Sequence, residues 1–258
     1  MFRRQLLRGS AAGLIASALA APALILPRPA RAESAEREPV DVELILAVDV
    51  SRSVDPDEQE LQMRGYAAAF RDPKLAEGIA RGSIGSIACM MFTWSDWHIQ
   101  EIMVPWTRID GAATAEGFAK AVDAAPRRTW LYTSISGAID FSMKQFESSG
   151  YEGMRRVIDI SGDGVNNSGR PLADSRAEAL AKGVVINGLP VLDRVPPPPQ
   201  FAAMHPPLDE YYRDEVIGGP GAFVMVAEGF ESFEEAARRK IIREIASNDG
   251  PSMERAFG

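Results

Sequence analysis

Residues 42–53 read Val-Glu-Leu-Ile-Leu-Ala-Val-Asp-Val-Ser-Arg-Ser and join an apolar run to a cluster of polar side chains. The run at 42–48 is apolar apart from Glu43, which is typical of a central strand buried on both faces. It is followed by Asp49, and Ser51 and Ser53 come at alternate positions. Helix capping would explain one of these polar residues but not three. The pattern therefore predicts a carboxylate and two hydroxyl groups gathered where a buried strand ends.

Short apolar runs alternate with helical patterns over the rest of the chain. We predict strands at 42–48, 84–92, 97–104, 156–160, 184–189 and 223–227. We predict helices at 56–70, 114–123, 134–146, 172–182 and 233–246. This alternation is typical of an α/β fold, a three-layer, doubly wound, mostly parallel sheet with helices on both faces. The strand at 97–104 can return as a hairpin, which makes it the one antiparallel edge strand.

Two further polar motifs lie at the ends of predicted elements. Residues 133–139 read Thr-Ser-Ile-Ser-Gly-Ala-Ile and open a helix, where Thr133 could also be a helix cap alone. Residues 160–164 read Ile-Ser-Gly-Asp-Gly, and the glycines beside Asp163 allow a tight turn that presents its carboxylate outward. The carboxyl ends of neighbouring parallel strands meet at the edge where open α/β sheets bind ligands. We therefore expect the three motifs to converge.

The D-x-S-x-S run, the T-x-I-x-x-A-I helix start and the Gly-Asp-Gly turn together resemble the metal-ion-dependent adhesion site (MIDAS) of the von Willebrand factor type A (vWA) domain. The resemblance covers residues 41–247. Within that family, the runs at 161–167 and 216–223 resemble the bacterial DUF1194 branch. Many vWA domains have Thr-Asp-Gly where this chain has Gly-Asp-Gly, but the carboxylate is kept.

The resemblance implies a vWA-like fold with a metal site. The hydroxyl oxygens of Ser51, Ser53 and Thr133 would bind the ion, and Asp49 and Asp163 would bind it directly or through water molecules. Oxygen donors of this kind suit Mg²⁺, and Mn²⁺ fits the same set. In this family the ion typically takes an Asp or Glu from a partner protein. The resemblance therefore implies metal-dependent protein binding and no catalysis.

Two other functions stay open. The first is a metal-dependent phosphate hydrolase, because a strand that ends in Asp near hydroxyl groups resembles the haloacid dehalogenase phosphatases. Those enzymes use D-x-D, with the second carboxylate as general acid, whereas Ser51 stands at that position here. The second is a structural domain that has lost its ion, although all five donor residues are present.

The composition excludes several kinds of site. The chain has 258 residues with one cysteine and two histidines, so no intrachain disulfide, Cys-rich zinc site or cluster of His ligands can form. The histidines, His98 and His205, are expected at the surface or in packing. Residues 1–32 hold five arginines and no acid, and without them 23 basic and 36 acidic side chains give a formal charge of −13. This charge disfavours nucleic acid as a partner.

The first 32 residues have the pattern of a cleaved secretory signal. Arg3, Arg4 and Arg8 precede an uncharged run at 11–26, and Ala30-Arg31-Ala32 fits a cleavage site. A membrane anchor is the alternative, but the run is shorter than the roughly twenty residues that span a bilayer. The paired arginines resemble the twin-arginine export signal. We therefore expect a periplasmic or secreted protein that is not an integral membrane protein after cleavage.

The remaining segments complete the expected domain organisation. Residues 33–40 would form a linker, 41–247 one domain and 248–258 a tail. A Pro- and Gly-rich insertion is expected at 190–222, with a short helix at 208–217, and its segment at 190–207 should border the site. The tryptophans around the loop at 93–97 could anchor a partner or pack in the core. The pair at 166–167, two asparagines, is expected to form a turn.

Asp159 interrupts a strand that helices should cover on both faces. A charge buried there without a partner would cost several kcal/mol, so it must be paired or reach the end of the sheet. We predict that Asp159 supports the site by accepting hydrogen bonds from nearby hydroxyl or backbone groups without touching the metal. A salt bridge to an arginine is the alternative.

Overall fold

The computed structural model describes residues 36–126, 128–192 and 206–246, which contain one five-stranded sheet. Its strands are β1 (Glu38–Asp49), β2 (Ile87–Trp94), β3 (Gln100–Ile109), β4 (Tyr151–Gly162) and β5 (Val185–Pro190). The spatial order is β3-β2-β1-β4-β5, and only β2 and β3 are antiparallel to each other. The predicted mostly parallel sheet with one antiparallel edge strand is therefore confirmed.

Helices cover both faces of this sheet. They are α1 (Pro56–Arg71), α2 (Pro73–Ala80), α3 (Ala112–Asp123), α4 (Ile135–Glu147), α5 (Leu172–Ala181), α6 (Leu208–Tyr211), which continues into a π-helix (Tyr212–Val216), and α7 (Phe233–Ala246). Side chains of α1, α2, α3 and α7 share one apolar cluster with the sheet, and those of α4, α5, α6 and the π-helix share the other. The fold thus has three layers. Across the described ranges, no helix combines the length and apolar character needed to cross a bilayer.

β1 forms the centre of the sheet and is buried from Val40 to Asp49. Leu46 and Val48 point into the cluster under α1 and α7, whereas Ala47 points into the opposite cluster. This two-sided burial explains the nearly continuous apolar run. The exception, Glu43, is fully buried but accepts hydrogen bonds from the side chain of Arg156 at 3.1 Å and the amide of Gly153 at 2.9 Å. Pairing offsets the cost of burying that carboxylate.

The start of β2 differs from the prediction. The strand begins at Ile87, whereas the predicted strand began at residue 84. The carboxylate of Asp41 accepts hydrogen bonds from the amides of Ile84, Gly85 and Ser86. These three residues therefore form a turn around Asp41 before the sheet pairing starts.

Other features of the fold also differ from the prediction. The predicted strand at 223–227 is wrong, because this segment makes only isolated bridges beside β5. The amide of Phe223 donates to Asn187 Oδ1, which removes it from regular strand pairing. β1 already begins at Glu38, so the last residues of the predicted 33–40 linker belong to the sheet. Helix α2, which Asp72 caps, was not predicted at all.

Candidate metal site

The first polar motif lies at the carboxyl end of β1, as its sequence position predicted. Asp49 is fully buried, and its Oδ1 accepts a hydrogen bond from the amide of Ser51 at 2.7 Å. Its second oxygen, Oδ2, has no hydrogen-bond partner among the described residues. A buried carboxylate oxygen without a partner is costly, so this atom suits a ligand or ion.

Hydrogen bonds join this motif to the turn that follows β4. Ser51 Oγ lies 3.2 Å from Ser53 Oγ, and Ser53 Oγ donates to Asp163 Oδ1 at 2.7 Å. Asp49, Ser51, Ser53 and Asp163 are thus connected in one chain of contacts at the carboxyl edge of the neighbouring strands β1 and β4. This arrangement agrees with the expected convergence of the first and third motifs.

Thr133, the fifth predicted residue, lies in the loop before α4 and is nearly buried. A Cβ atom placed on Gly164 would be 3.4 Å from Thr133 Oγ1, so this hydroxyl lies beside the Gly-Asp-Gly turn. The amide of Thr133 donates to Asn167 Oδ1 at 2.9 Å, and the amide of Asn167 donates to the carbonyl of Thr133 at 2.8 Å. The Thr133 loop is therefore fixed to the loop after β4.

The sequence suggested only a turn for the two asparagines, but both hold the second motif in place. Asn166 Oδ1 accepts a hydrogen bond from the amide of Ser136 at 3.0 Å, which complements the bonds between Asn167 and Thr133. The amide of Asn166 in turn donates to the hydroxyl of Tyr211 at 3.1 Å. No local pattern could have revealed these roles, because each contact joins residues at least 30 positions apart along the chain.

The charges at this edge favour a cation. Burial raises the pKa of Asp49 well above its usual value, the nearby Asp163 raises it further, and hydrogen bonds from Ser51 lower it. A divalent cation would relieve the repulsion between these carboxylates. Within the described ranges, no group of three or more His, Cys, Asp or Glu could hold a metal. Any ion here would therefore rely on the hydroxyl groups of Ser51, Ser53 and Thr133 as well.

These residues fit a hard divalent cation. Two carboxylates and three hydroxyls offer only oxygen donors, which is the set that Mg²⁺ prefers, whereas zinc usually takes nitrogen or sulfur. The buried and unpartnered Asp49 Oδ2 is the observation on this structure that supports the fit. His98 lies at the surface, where it can pair with Asp96, and His205 lies outside the described residues.

Exposed apolar side chains flank the site. Trp97, in the loop after β2, is 61% exposed, whereas Trp94 is fully buried in the core. Trp130, Leu131 and Tyr132 directly precede Thr133 and are 40%, 68% and 52% exposed. Their backbone is nevertheless fixed. The amide of Trp130 donates to the carbonyl of Val50, and Ser95 Oγ donates to the carbonyl of Tyr132.

An acidic cleft lies next to the candidate metal site. It has a volume of about 400 Å³, and its lining includes Ser53 and Asp163. Asp57, Glu58 and Glu231 also line it, and the described part of its lining contains no lysine or arginine. These carboxylates make the described lining of the cleft negatively charged.

Asp159 lies on the face of β4 that α7 covers. Its carboxylate pairs with Lys240 of α7, and Lys240 also donates to Glu244 Oε1 at 2.6 Å. All three side chains are fully or almost fully buried. Asn187 of β5 donates to the same Glu244 oxygen at 2.8 Å. Asp159 accepts no hydrogen bond from a hydroxyl or backbone group of the described residues, so that prediction is wrong. The salt-bridge alternative is correct in kind, but the partner is a lysine.

Comparison with known proteins adds a family and a fold. The family model "Protein of unknown function (DUF1194)" matches residues 39–249. No curated protein is significantly similar to the chain. Solved structures that share the fold include proximal thread matrix protein 1 (PTMP1) from the mussel byssus, with 14% identity over 82% of this chain and a TM-score of 0.55. Another structure of PTMP1 has a zinc-occupied MIDAS motif and matches with 12% identity over 80% of this chain and a TM-score of 0.54.

Two bacterial structures have the same fold. The von Willebrand factor type A protein from Catenulispora acidiphila is 12% identical over 80% of this chain, with a TM-score of 0.52. The pilus adhesin SpaC from Lactobacillus rhamnosus GG is 12% identical over 82% of this chain, with a TM-score of 0.54. The matched region covers 48% of the first PTMP1 structure, 46% of the zinc-occupied one, 43% of the Catenulispora protein and 31% of SpaC. Together these matches establish a vWA-like fold.

Proposed function

We propose that this chain, which belongs to the DUF1194 family and has a vWA-like fold, binds a divalent cation and through it a partner protein. Asp49, Ser51, Ser53, Thr133 and Asp163 would hold the ion. The observation that carries the proposal is the hydrogen bond from Ser53 to Asp163, which joins the motifs of two strands beside the unpartnered Asp49 Oδ2. The zinc-occupied MIDAS motif of PTMP1 supports it by analogy of fold.

The donor set favours Mg²⁺ and accepts Mn²⁺. Mg²⁺ requires about six oxygen atoms in octahedral array and keeps some bound water. The two carboxylates of Asp49 and Asp163 balance the charge of the ion, and the three hydroxyls add none. When bound, the ion would supply a positive centre that accepts one more anionic oxygen. An Asp or Glu of the partner protein would provide that oxygen.

The exposed side chains around Thr133 suggest what else the partner contacts. Trp130, Leu131 and Tyr132 offer apolar surface on a backbone that hydrogen bonds already hold in place. Aromatic side chains of this kind often dominate the binding energy of protein interfaces. The partner segment would therefore combine a carboxylate with bulky apolar side chains.

We propose binding and no catalysis. A phosphatase of the D-x-D type needs a second carboxylate two positions after Asp49, and Ser51 holds that position with its hydroxyl beside Ser53. The N-terminal 32 residues support export to the periplasm or beyond the cell, and their paired arginines support the twin-arginine route. A phosphatase assay with a generic aryl phosphate and Mg²⁺ distinguishes protein binding from phosphate hydrolysis, because turnover by the purified chain would contradict the binding proposal.

Calorimetric titration with Mg²⁺ tests the metal site. Asp49→Ala and Asp163→Ala should each abolish or severely weaken binding, because either variant removes half of the charge that balances the ion. Asp57→Ala is the matched control, since Asp57 lines the adjacent cleft without belonging to the proposed donor set. Unchanged affinity in both ligand variants would reject these residues as ligands.

Partner binding needs a second experiment. A pull-down from periplasmic extract should capture a protein in Mg²⁺ and lose it in chelator. Leu131→Ser should reduce the capture, whereas Met154→Ser should not. The two side chains are equally exposed, at 68% and 67%, but Met154 lies near the amino end of β4, away from the site. Equal loss with both variants would contradict a role for the surface around Thr133.

A further inference from the structure

A buried tyrosine of the Pro- and Gly-rich insertion packs against the sheet. Tyr212 begins the π-helix that follows α6, and its side chain is completely buried. A Cβ atom on Gly188 of β5 would lie 2.7 Å from Tyr212 Cδ1. A Cβ atom on Gly162, at the end of β4, would lie 2.9 Å from the Tyr212 hydroxyl. Two glycines on neighbouring strands therefore make room for the ring along its whole length.

The direction of the ring brings its hydroxyl to Asp49. A Cβ atom on Gly162 would lie 2.9 Å from the Tyr212 hydroxyl and 2.8 Å from Asp49 Oδ2. The two oxygen atoms thus approach one point beside β4. Neither has a hydrogen-bond partner among the residues that the structure describes. Two buried polar atoms left without partners at the same place indicate a shared ligand or a hydrogen bond that forms when the ligand binds.

The hydroxyl is suited to donate. The phenol of tyrosine has an ordinary pKa of about 10, so the hydroxyl of the buried Tyr212 side chain carries its proton near neutral pH. A protonated phenol beside a carboxylate oxygen offers one donor and needs one acceptor. π-Helical turns inside or next to α-helices frequently occur at functional sites. The irregular turn at Tyr212–Val216 is consistent with this trend.

We propose that Tyr212 belongs to the ion site and that its hydroxyl donates a hydrogen bond to Asp49 Oδ2 or to a water molecule on the ion. The proposal rests on the metal binding proposed above. It gives the insertion a function, because Tyr212 would orient the carboxylate that binds the ion without binding the ion itself. Groups that orient metal ligands in this way typically change metal affinity by about ten- to a hundredfold when removed.

Tyr212→Phe in the full chain tests this role. The variant keeps the ring that packs on Gly188 and removes only the hydroxyl group. Calorimetric titration with Mg²⁺ should show affinity about tenfold weaker or more. The matched control is Tyr66→Phe, since Tyr66 is equally buried but belongs to the cluster on the opposite face of the sheet. Its Mg²⁺ affinity should equal that of the wild type.

A second measurement does not depend on the folding of any variant. Mg²⁺ should perturb the near-ultraviolet absorbance of tyrosine in the wild-type chain, because the Tyr212 hydroxyl gains an acceptor. Wild-type affinity in Tyr212→Phe, or no tyrosine perturbation in a wild-type chain that binds Mg²⁺, overturns the role of Tyr212 and leaves the metal site intact. A wild-type chain that binds no Mg²⁺ overturns both proposals.

Discussion

Replacing Asp159 by asparagine should remove a pH-dependent loss of stability that the buried carboxylate causes. Asp159 and Glu244 both pair with Lys240 of α7, and all three side chains are buried. Burial and the charge of Glu244 raise the pKa of Asp159 to about 7, against the lowering effect of Lys240. The charge of Asp159 also acts on Tyr66 of α1, Cys89 of β2 and Tyr212. Glu244 interacts with Arg155 as well and accepts a hydrogen bond from Asn187 of β5. Asparagine keeps the shape of the side chain but carries no proton to lose.

The size and sign of this stability change follow from the pKa of Asp159 in the folded and the unfolded chain. In the unfolded chain the pKa of an aspartate is about 3.9. Between about pH 4 and about pH 7 the native state therefore binds this proton more tightly than the unfolded state, so the free energy of unfolding falls as the pH rises. One pKa unit corresponds to about 1.4 kcal/mol, which gives a loss of up to about 4 kcal/mol across this interval. Above about pH 7 the contribution should stay constant.

Urea unfolding of the wild type and of Asp159→Asn, followed by tryptophan fluorescence between about pH 4.5 and about pH 8, measures this effect. The difference in stability should move in favour of the variant by several kcal/mol as the pH rises. Lys240→Met provides the contrast. It leaves two buried carboxylates without their cation and should cost about 3–5 kcal/mol near neutral pH. Parallel stability curves for the wild type and Asp159→Asn would refute the assigned coupling.

Two further changes test the packing of the site and the processing of the chain. Gly162→Ala should destabilise the protein by about 1–3 kcal/mol, because the new methyl group would lie 2.8 Å from Asp49 Oδ2 and 2.9 Å from the Tyr212 hydroxyl. Gly117→Ala in α3, where nothing lies within 4 Å of the added atom, should be neutral or stabilising in the same thermal unfolding assay. For the N-terminal segment, mass spectrometry of the exported protein should find Glu33 as the first residue. A cytoplasmic species that retains Met1 would contradict cleavage.

The hydrophobic pattern of the sequence predicted most of the sheet, because a strand buried on both faces, such as β1, is recognisable as a continuous apolar run. The same reasoning failed where a side chain replaces backbone pairing. Asp41 binds three amides before β2, and Asn187 binds the amide of Phe223. Each contact joins residues at least 36 positions apart, so the sequence near the strand ends contains no sign of it.

The candidate donors were predicted because they lie after strands or at the start of a helix and match a spaced motif. The residues that hold them were not, since Asn167 contacts Thr133 across 34 positions, and no motif marks Asn166 or Asn167 as more than turn residues. Tyr212 was missed for a further reason. It lies in an insertion of unusual composition, and its contact with the site depends on Gly162 and Gly188, which lie on two different strands.

The two buried aspartates of neighbouring strands differ in whether the fold supplies a cation for them. Asp159 on β4 is matched by Lys240, which α7 holds permanently beneath the sheet. Asp49 on β1 lies at the edge, where the described residues supply hydroxyls and amides for it but no cation, and Oδ2 is left without a partner. A permanent lysine at Asp49 would satisfy the carboxylate and leave nothing to bind. Because the fold leaves that charge unmatched, the exchangeable cation that we propose would take the place of the lysine, and the cost of keeping Asp49 buried would become part of the affinity for the ion.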